Sequence, residues 1–185
     1  AIWLGFSLVL GYFASLVFEF YKPRLHSPEW SQSVWVEAGV ERPTSYYRKH
    51  ISLGATPLRA PLQVAAPDEF TLYVNGELIA EKAFSSVFTS GVYDIAPYLR
   101  SGDNVIAVAV SRGTFPGTAS LLVEGYWEDT QGGRGVILSG SDFRSSMVEE
   151  WQRAGELAWY SPIFDDGVWA YAKGVPHPRG GFCDR

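Results

Sequence analysis

The chain has 185 residues, a net charge of −5 and a charged fraction of 19%, a length that holds one ordinary domain and a short appendage. The acidic balance and the lack of any basic run exclude a nucleic-acid surface as partner. One cysteine, Cys183, excludes an internal disulfide and a cysteine-built zinc site, and reads as a free thiol on a tail.

Residues 2–18 carry no charge, and Glu19, Phe20, Tyr21, Lys22, Pro23 and Arg24 come next. A helix over residues 2–21 would be about 30 Å long at about 1.5 Å per residue, which matches the hydrocarbon core of a bilayer. Trp3 at one end, with Phe20 and Tyr21 at the other, stand where aromatic belts form. The reading is therefore one transmembrane helix over residues 1–21, stopped by Pro23. A cleaved signal peptide and a buried core helix fit less well. The apolar stretch is long, no small-residue cleavage pattern succeeds it, and no polar face interrupts it. Ser7, Gly11 and Ser15 fall four apart on one helix face, a spacing that lets membrane helices pack closely. The stretch lacks His and internal charge, so it offers neither a cofactor ligand nor an ion path.

Residues 22–45 read as a linker, broken by Pro23, Pro28 and Pro43, with Trp30 and Trp35 available to pack onto the domain beyond it. From residue 46 to 185 the texture is that of short strands in one β-sandwich. Strands are expected at 46–53, 62–66, 70–74 and 77–81, the last two joined by Asn75-Gly76, a strong hairpin signal because both residues tolerate positive φ. Residues 91–95 form another, and Asp94 caps a helical turn that leads to Leu99. Gly102 and Asn104 bend the chain into 104–111, an apolar run of central-strand type. Residues 119–127 and 136–139 are further strands, residues 146–155 read as a short helix, and Asp142 and Arg144 are expected to pair at a turn. About eight such strands, with Gly, Pro and Asn turns, give a mainly β sandwich or jelly roll.

Five stretches in order carry a family likeness: YYRKHISL, PLQVAAPDEFTLYVNGELIA, VYDIAPYLRSGDNVIAVAV, SGSDFRSS and FDDGVWAYA. Together they resemble the galactose-binding-like jelly roll, the accessory sandwich of bacterial α-rhamnosidases and β-galactosidases. The likeness spans residues 46–175. It implies a jelly-roll fold without catalysis, since the enzymes of that family keep their acid and base in a separate catalytic domain.

The residues themselves agree. Asp165 and Asp166 are adjacent, so in a strand they point to opposite faces and cannot form an acid–base pair. Glu149 and Glu150 read as solvated. His26, His50 and His177 are isolated, so no metal site is expected. Catalytic residues and cofactors are accordingly none.

The leading expectation is a non-catalytic, single-pass accessory subunit of a bacterial membrane complex, respiratory or photosynthetic. Its helix would pack on other membrane subunits within the lipid bilayer, and its sandwich would bridge or cap them. The alternative is a membrane-tethered carbohydrate-binding module, whose sugar-stacking candidates are Trp127, Trp159 and Tyr160. A sensor anchor or a fragment of a hydrolase is a weaker third reading. The expected location is the bacterial inner membrane with the sandwich outside the cytoplasm, although Lys22 and Arg24 beside the helix favour the opposite orientation.

Overall fold

Strict alternation organises the sandwich. In the strand Glu69–Val74, Phe70, Leu72 and Val74 are buried while Thr71 and Tyr73 are only half-buried, as a period of two requires when one face meets the core. A computed structural model describes residues 33–39, 43–67, 69–82, 89–112, 118–147 and 158–175. The transmembrane segment read in residues 1–21, with Ser7, Gly11, Ser15, Trp3, Phe20 and Tyr21, lies outside the described residues. Among those described, no helix is long and apolar enough to cross a membrane.

The strands in chain order are β1 (Trp35–Glu37), β2 (Thr44–Leu53), β3 (Pro57–Arg59), β4 (Pro61–Ala66), β5 (Glu69–Val74), β6 (Glu77–Lys82) and β7 (Thr89–Asp94). A 3-10 turn at Ala96–Tyr98 leads into β8 (Gly102–Ser111), and then come β9 (Leu122–Asp129), β10 (Arg134–Leu138), β11 (Arg144–Ser146), β12 (Ala170–Tyr171) and β13 (Lys173–Val175). One sheet runs β12-β11-β2-β8-β5-β6; the facing sheet runs β10-β9-β4-β7, with β3 also on β9. A two-stranded ribbon joins β1 to β13.

Between the sheets lies an aliphatic core. Leu62, Val64 and Ala66 of β4 and Val123 of β9 meet Phe70, Leu72 and Val74 of β5 and Ile106, Val108 and Val110 of β8. Asn75 (φ 51°) and Gly76 (φ 91°) both take the left-handed region, so the β5–β6 hairpin closes in two residues as its sequence demands. Asp94 Oδ1 accepts from the Ala96 and Ala60 amides at 3.1 and 3.2 Å, which caps the 3-10 turn and leaves Leu99 in the core. Asn104 is fully buried. It accepts from Arg100 N at 2.9 Å and from Asn75 Nδ2 at 2.7 Å, and donates to Arg100 O at 2.7 Å, so one amide locks two turns together.

Two expectations need correction. Residues 35–37, read as part of a linker, form strand β1: Val36 is buried and exchanges backbone hydrogen bonds with Leu121 at 2.9 Å each way. Residues 144–146 form strand β11 between β2 and β12; residues 148–155 of the expected short helix lie outside the described residues. Asp142 pairs with Lys49, not with Arg144. Arg144 instead stacks 3.9 Å above the Tyr171 ring and donates to Trp169 O at 3.0 Å.

Candidate functional site

The six-stranded sheet has two covered faces over part of its width. On its outer side, residues in register form rows across the strands. One row is Arg144, Arg48, Ala107, Tyr73 and Leu78 on β11, β2, β8, β5 and β6. The next is Tyr46, Ala109, Thr71 and Glu81. Residues 158–169 run across the middle of this face as a strap. Trp159, Phe164, Asp166 and Trp169 of the strap are buried, whereas Ile163, Asp165, Gly167 and Val168 are exposed. Their alternation is irregular because turns, not strands, aim them. Trp159, Phe164 and Trp169 pack on Tyr46, Val105 and Ala107 as a second, aromatic core.

At the centre of the strap's footprint is Arg48, 0% exposed. Its Nε donates to Asp166 Oδ2 at 2.8 Å, Nη1 to the carbonyls of Trp159 and Ser161 (3.0 Å for Ser161), and Nη2 to Phe164 O at 3.2 Å. The Phe164 ring lies 5.1 Å from the guanidinium carbon. His50 Nε2 stands 2.7 Å from the same Asp166 oxygen. Burial lowers the Arg48 pKa, against the opposing pull of Asp166. Burial alone would raise Asp166, but hydrogen bonds from Arg48 and His50 overcome it and hold the carboxyl below its ordinary value. A buried charge is tolerated when paired and hydrogen-bonded in this way.

Beside the strap's aromatic core, Tyr160 lies flat on Tyr73, ring centroids 4.1 Å apart and planes 6° apart. Trp159 meets both rings nearly perpendicularly, at 5.8 and 5.7 Å. Tyr73 and Tyr160 remain half-buried, while Trp159 is 5% exposed. A register slip in the β5–β6 pairing falls between Leu72 and Tyr73, and such irregularities re-aim side chains. Burial, then the charges of Tyr160 and Glu81, raise the Tyr73 pKa. Thr71 and Glu81 are cross-strand partners on the same outer face, and Thr44 and Ser111 place their hydroxyls 3.4 Å apart further along it.

The three sequence candidates therefore separate. Trp159 and Tyr160 come together, but Trp159 is the buried support and Tyr160 the accessible ring. Trp127 belongs to the facing sheet, packed against the inter-sheet core. It crosses Gly135, where a Cβ would sit 2.8 Å from the indole nitrogen. Sequence reasoning misses Tyr73, although its outward place in the alternating run FTLYV is a signal that could find it. Asp165 and Asp166 do split, Asp165 accepting from Gly167 N at 2.8 Å at the surface and Asp166 turning in to Arg48. Glu149, Glu150, His26, His177 and Cys183 lie outside the described residues. Among the described residues, no three His, Cys, Asp or Glu side chains group as a metal site.

No family model matches the chain, and no curated protein does so. Solved structures do match in fold. The α-L-rhamnosidase of Streptomyces avermitilis, complexed with L-rhamnose, aligns at 22% identity and a TM-score of 0.69, over 83% of this chain and 15% of that one. The α-L-rhamnosidase of Dictyoglumus thermophilum aligns at 20% identity and 0.68, over 84% and 22%. A lectin from Pleurotus ostreatus, in complex with GalNAc, aligns at 20% identity and 0.60, over 77% and 42%. The chain thus spans less than half of each of these proteins, and the likeness establishes a shared β-sandwich. It corrects the expectation of an accessory subunit in a respiratory or photosynthetic complex: the sandwich is one found in rhamnosidases and a lectin.

Proposed function

We propose that the chain is a membrane-tethered carbohydrate-binding module whose sandwich, of the galactose-binding-like jelly-roll type, binds saccharide without cleaving it. The observation that carries this reading is the Tyr73–Tyr160 stack, half-buried on the outer face of the six-stranded sheet and backed by Trp159. An aromatic ring held rigidly at a surface offers an apolar plane to the C–H face of a pyranose, and nearby polar groups fix its orientation. Thr71 and Glu81 supply such groups on the same face. Two fold neighbours carry bound sugars, L-rhamnose in one and GalNAc in the other, which supports the class of ligand and no particular member of it.

The apolar run of residues 2–18 supports the tether, and the proposal puts the sandwich outside the cytoplasm, where glycans are met. A glycan array followed by titration of the full chain, held in a detergent without a sugar headgroup, tests the reading. Saturable binding that weakens about tenfold in Tyr160→Ala is expected, since about 1.4 kcal/mol of lost contact is a factor of ten. Silence across the array at millimolar sugar would remove the proposal. Partition of the full chain into liposomes, lost on deletion of residues 1–21, tests the tether.

A further inference from the structure

Tyr160 sits in a strap of turns, not in a strand. A loop residue can serve as a rigid platform only when its backbone is fixed from outside. The residues on either side of Tyr160 are Trp159 and Ser161, and the carbonyls of both accept from one atom, Arg48 Nη1. Arg48 is on β2 in the middle of the six-stranded sheet. From there its other nitrogens hold Phe164 O and Asp166 further along the strap. The planar fork of a guanidinium can reach separated acceptors at fixed angles, which an ammonium cannot.

We infer that Arg48 is the positioning residue of the saccharide site, clamping the carbonyls on either side of Tyr160 so that its ring stays stacked on Tyr73. This rests on the carbohydrate-binding reading for its function, but its geometric part does not. Arg48 touches no sugar; it acts through the ring it holds. The strap's apolar anchors, Trp159, Phe164 and Trp169, keep the segment on the sheet, and Arg48 sets where Tyr160 stands along it.

The test uses the full chain with ring-labelled tyrosine. Two rings stacked 4.1 Å apart shift each other's ring-proton resonances by their ring currents, so the stack has an NMR signature that needs no ligand. In Arg48→Lys, folded by far-ultraviolet circular dichroism, that signature is expected to vanish and saccharide affinity to fall about tenfold. Asp166→Asn leaves both flanking carbonyl contacts in place, and is expected to keep the signature and to lose less than threefold in affinity. Should Arg48→Lys not fold, Arg48→Met with Asp166→Leu removes both charges together, which buried pairs often tolerate, and is expected to behave as Arg48→Lys should. An unaltered signature in either folded Arg48 variant overturns the inference, as does an equal loss in Asp166→Asn. A wild-type chain that binds no saccharide, with the signature still dependent on Arg48, removes the functional reading and leaves the clamp.

Discussion

The two cores of this sandwich are built on different principles. Between the sheets, Leu62, Val64, Leu72, Ile106, Val108 and Val123 interlock as aliphatic residues from strands that alternate. On the outer face, Tyr46, Trp159, Phe164 and Trp169 form an aromatic layer whose lid is a strap without regular structure, tied by the buried Arg48. The first core holds itself together by hydrophobic burial and packing. The second adds a charged clamp, in which Arg48 ties the strap's carbonyls and Asp166 to the sheet. A protein with only the first would be a stable sandwich with a bare sheet face. The second turns that face into a surface with a fixed aromatic feature.

Breaking the clamp sharpens the contrast most. Asp166→Ala leaves a buried guanidinium without its carboxylate and should cost about 3–5 kcal/mol, read as a lower midpoint in urea. The loss should appear first in the near-ultraviolet dichroism of the strap's tryptophans. A single coincident transition at the wild-type midpoint would show that the strap is not held this way.

Acid provides a gentler break. Because the Asp166 carboxyl is depressed in the folded state, its stabilising contribution is present above the ordinary aspartate value, about 3.9, and is lost as pH falls through the folded value. The aromatic layer should therefore loosen at acid pH in the wild type, and the pH dependence should flatten in Asp166→Asn. Equal slopes for the two proteins would count against the clamp.

The smallest effect lies on the other sheet. Burial raises the pKa of Glu124, opposed by a hydrogen bond from Ser33. The sign is reversed: protonated Glu124 is favoured in the fold, and its contribution is lost as pH rises through the raised value. Glu124→Gln should thus raise the melting temperature slightly at neutral pH and leave the acid limb unchanged. A drop at neutral pH would contradict that assignment.

The contrast also explains what can be read in the residues alone. The inter-sheet core is legible because FTLYV-Asn-Gly and NVIAVAVS carry the period and the turn signals of paired strands. Strands β1, β3, β11, β12 and β13 have two or three residues each, too few for any period to emerge, and they exist through pairing with partners distant in sequence. The apolar run of β8 reads as a central strand, which it is. Its burial on both faces, however, depends on a strap about 50 positions further along the chain that no local pattern announces. Nothing local marks Arg48 as buried, since its clamp joins it to Asp166 across 118 positions. Trp127, Trp159 and Tyr160 stand out by residue type. Type does not reveal exposure, and only the fold separates the accessible Tyr160 from the buried Trp159 and from Trp127 on the other sheet.

The most direct measurement is an NMR titration of the full chain, with tyrosine and tryptophan rings labelled, against the saccharide that the array selects. The account predicts saturable shifts of the Tyr73 and Tyr160 rings, with Trp127 unmoved. Shifts centred on Trp127, or no ring moving at millimolar saccharide, would contradict it.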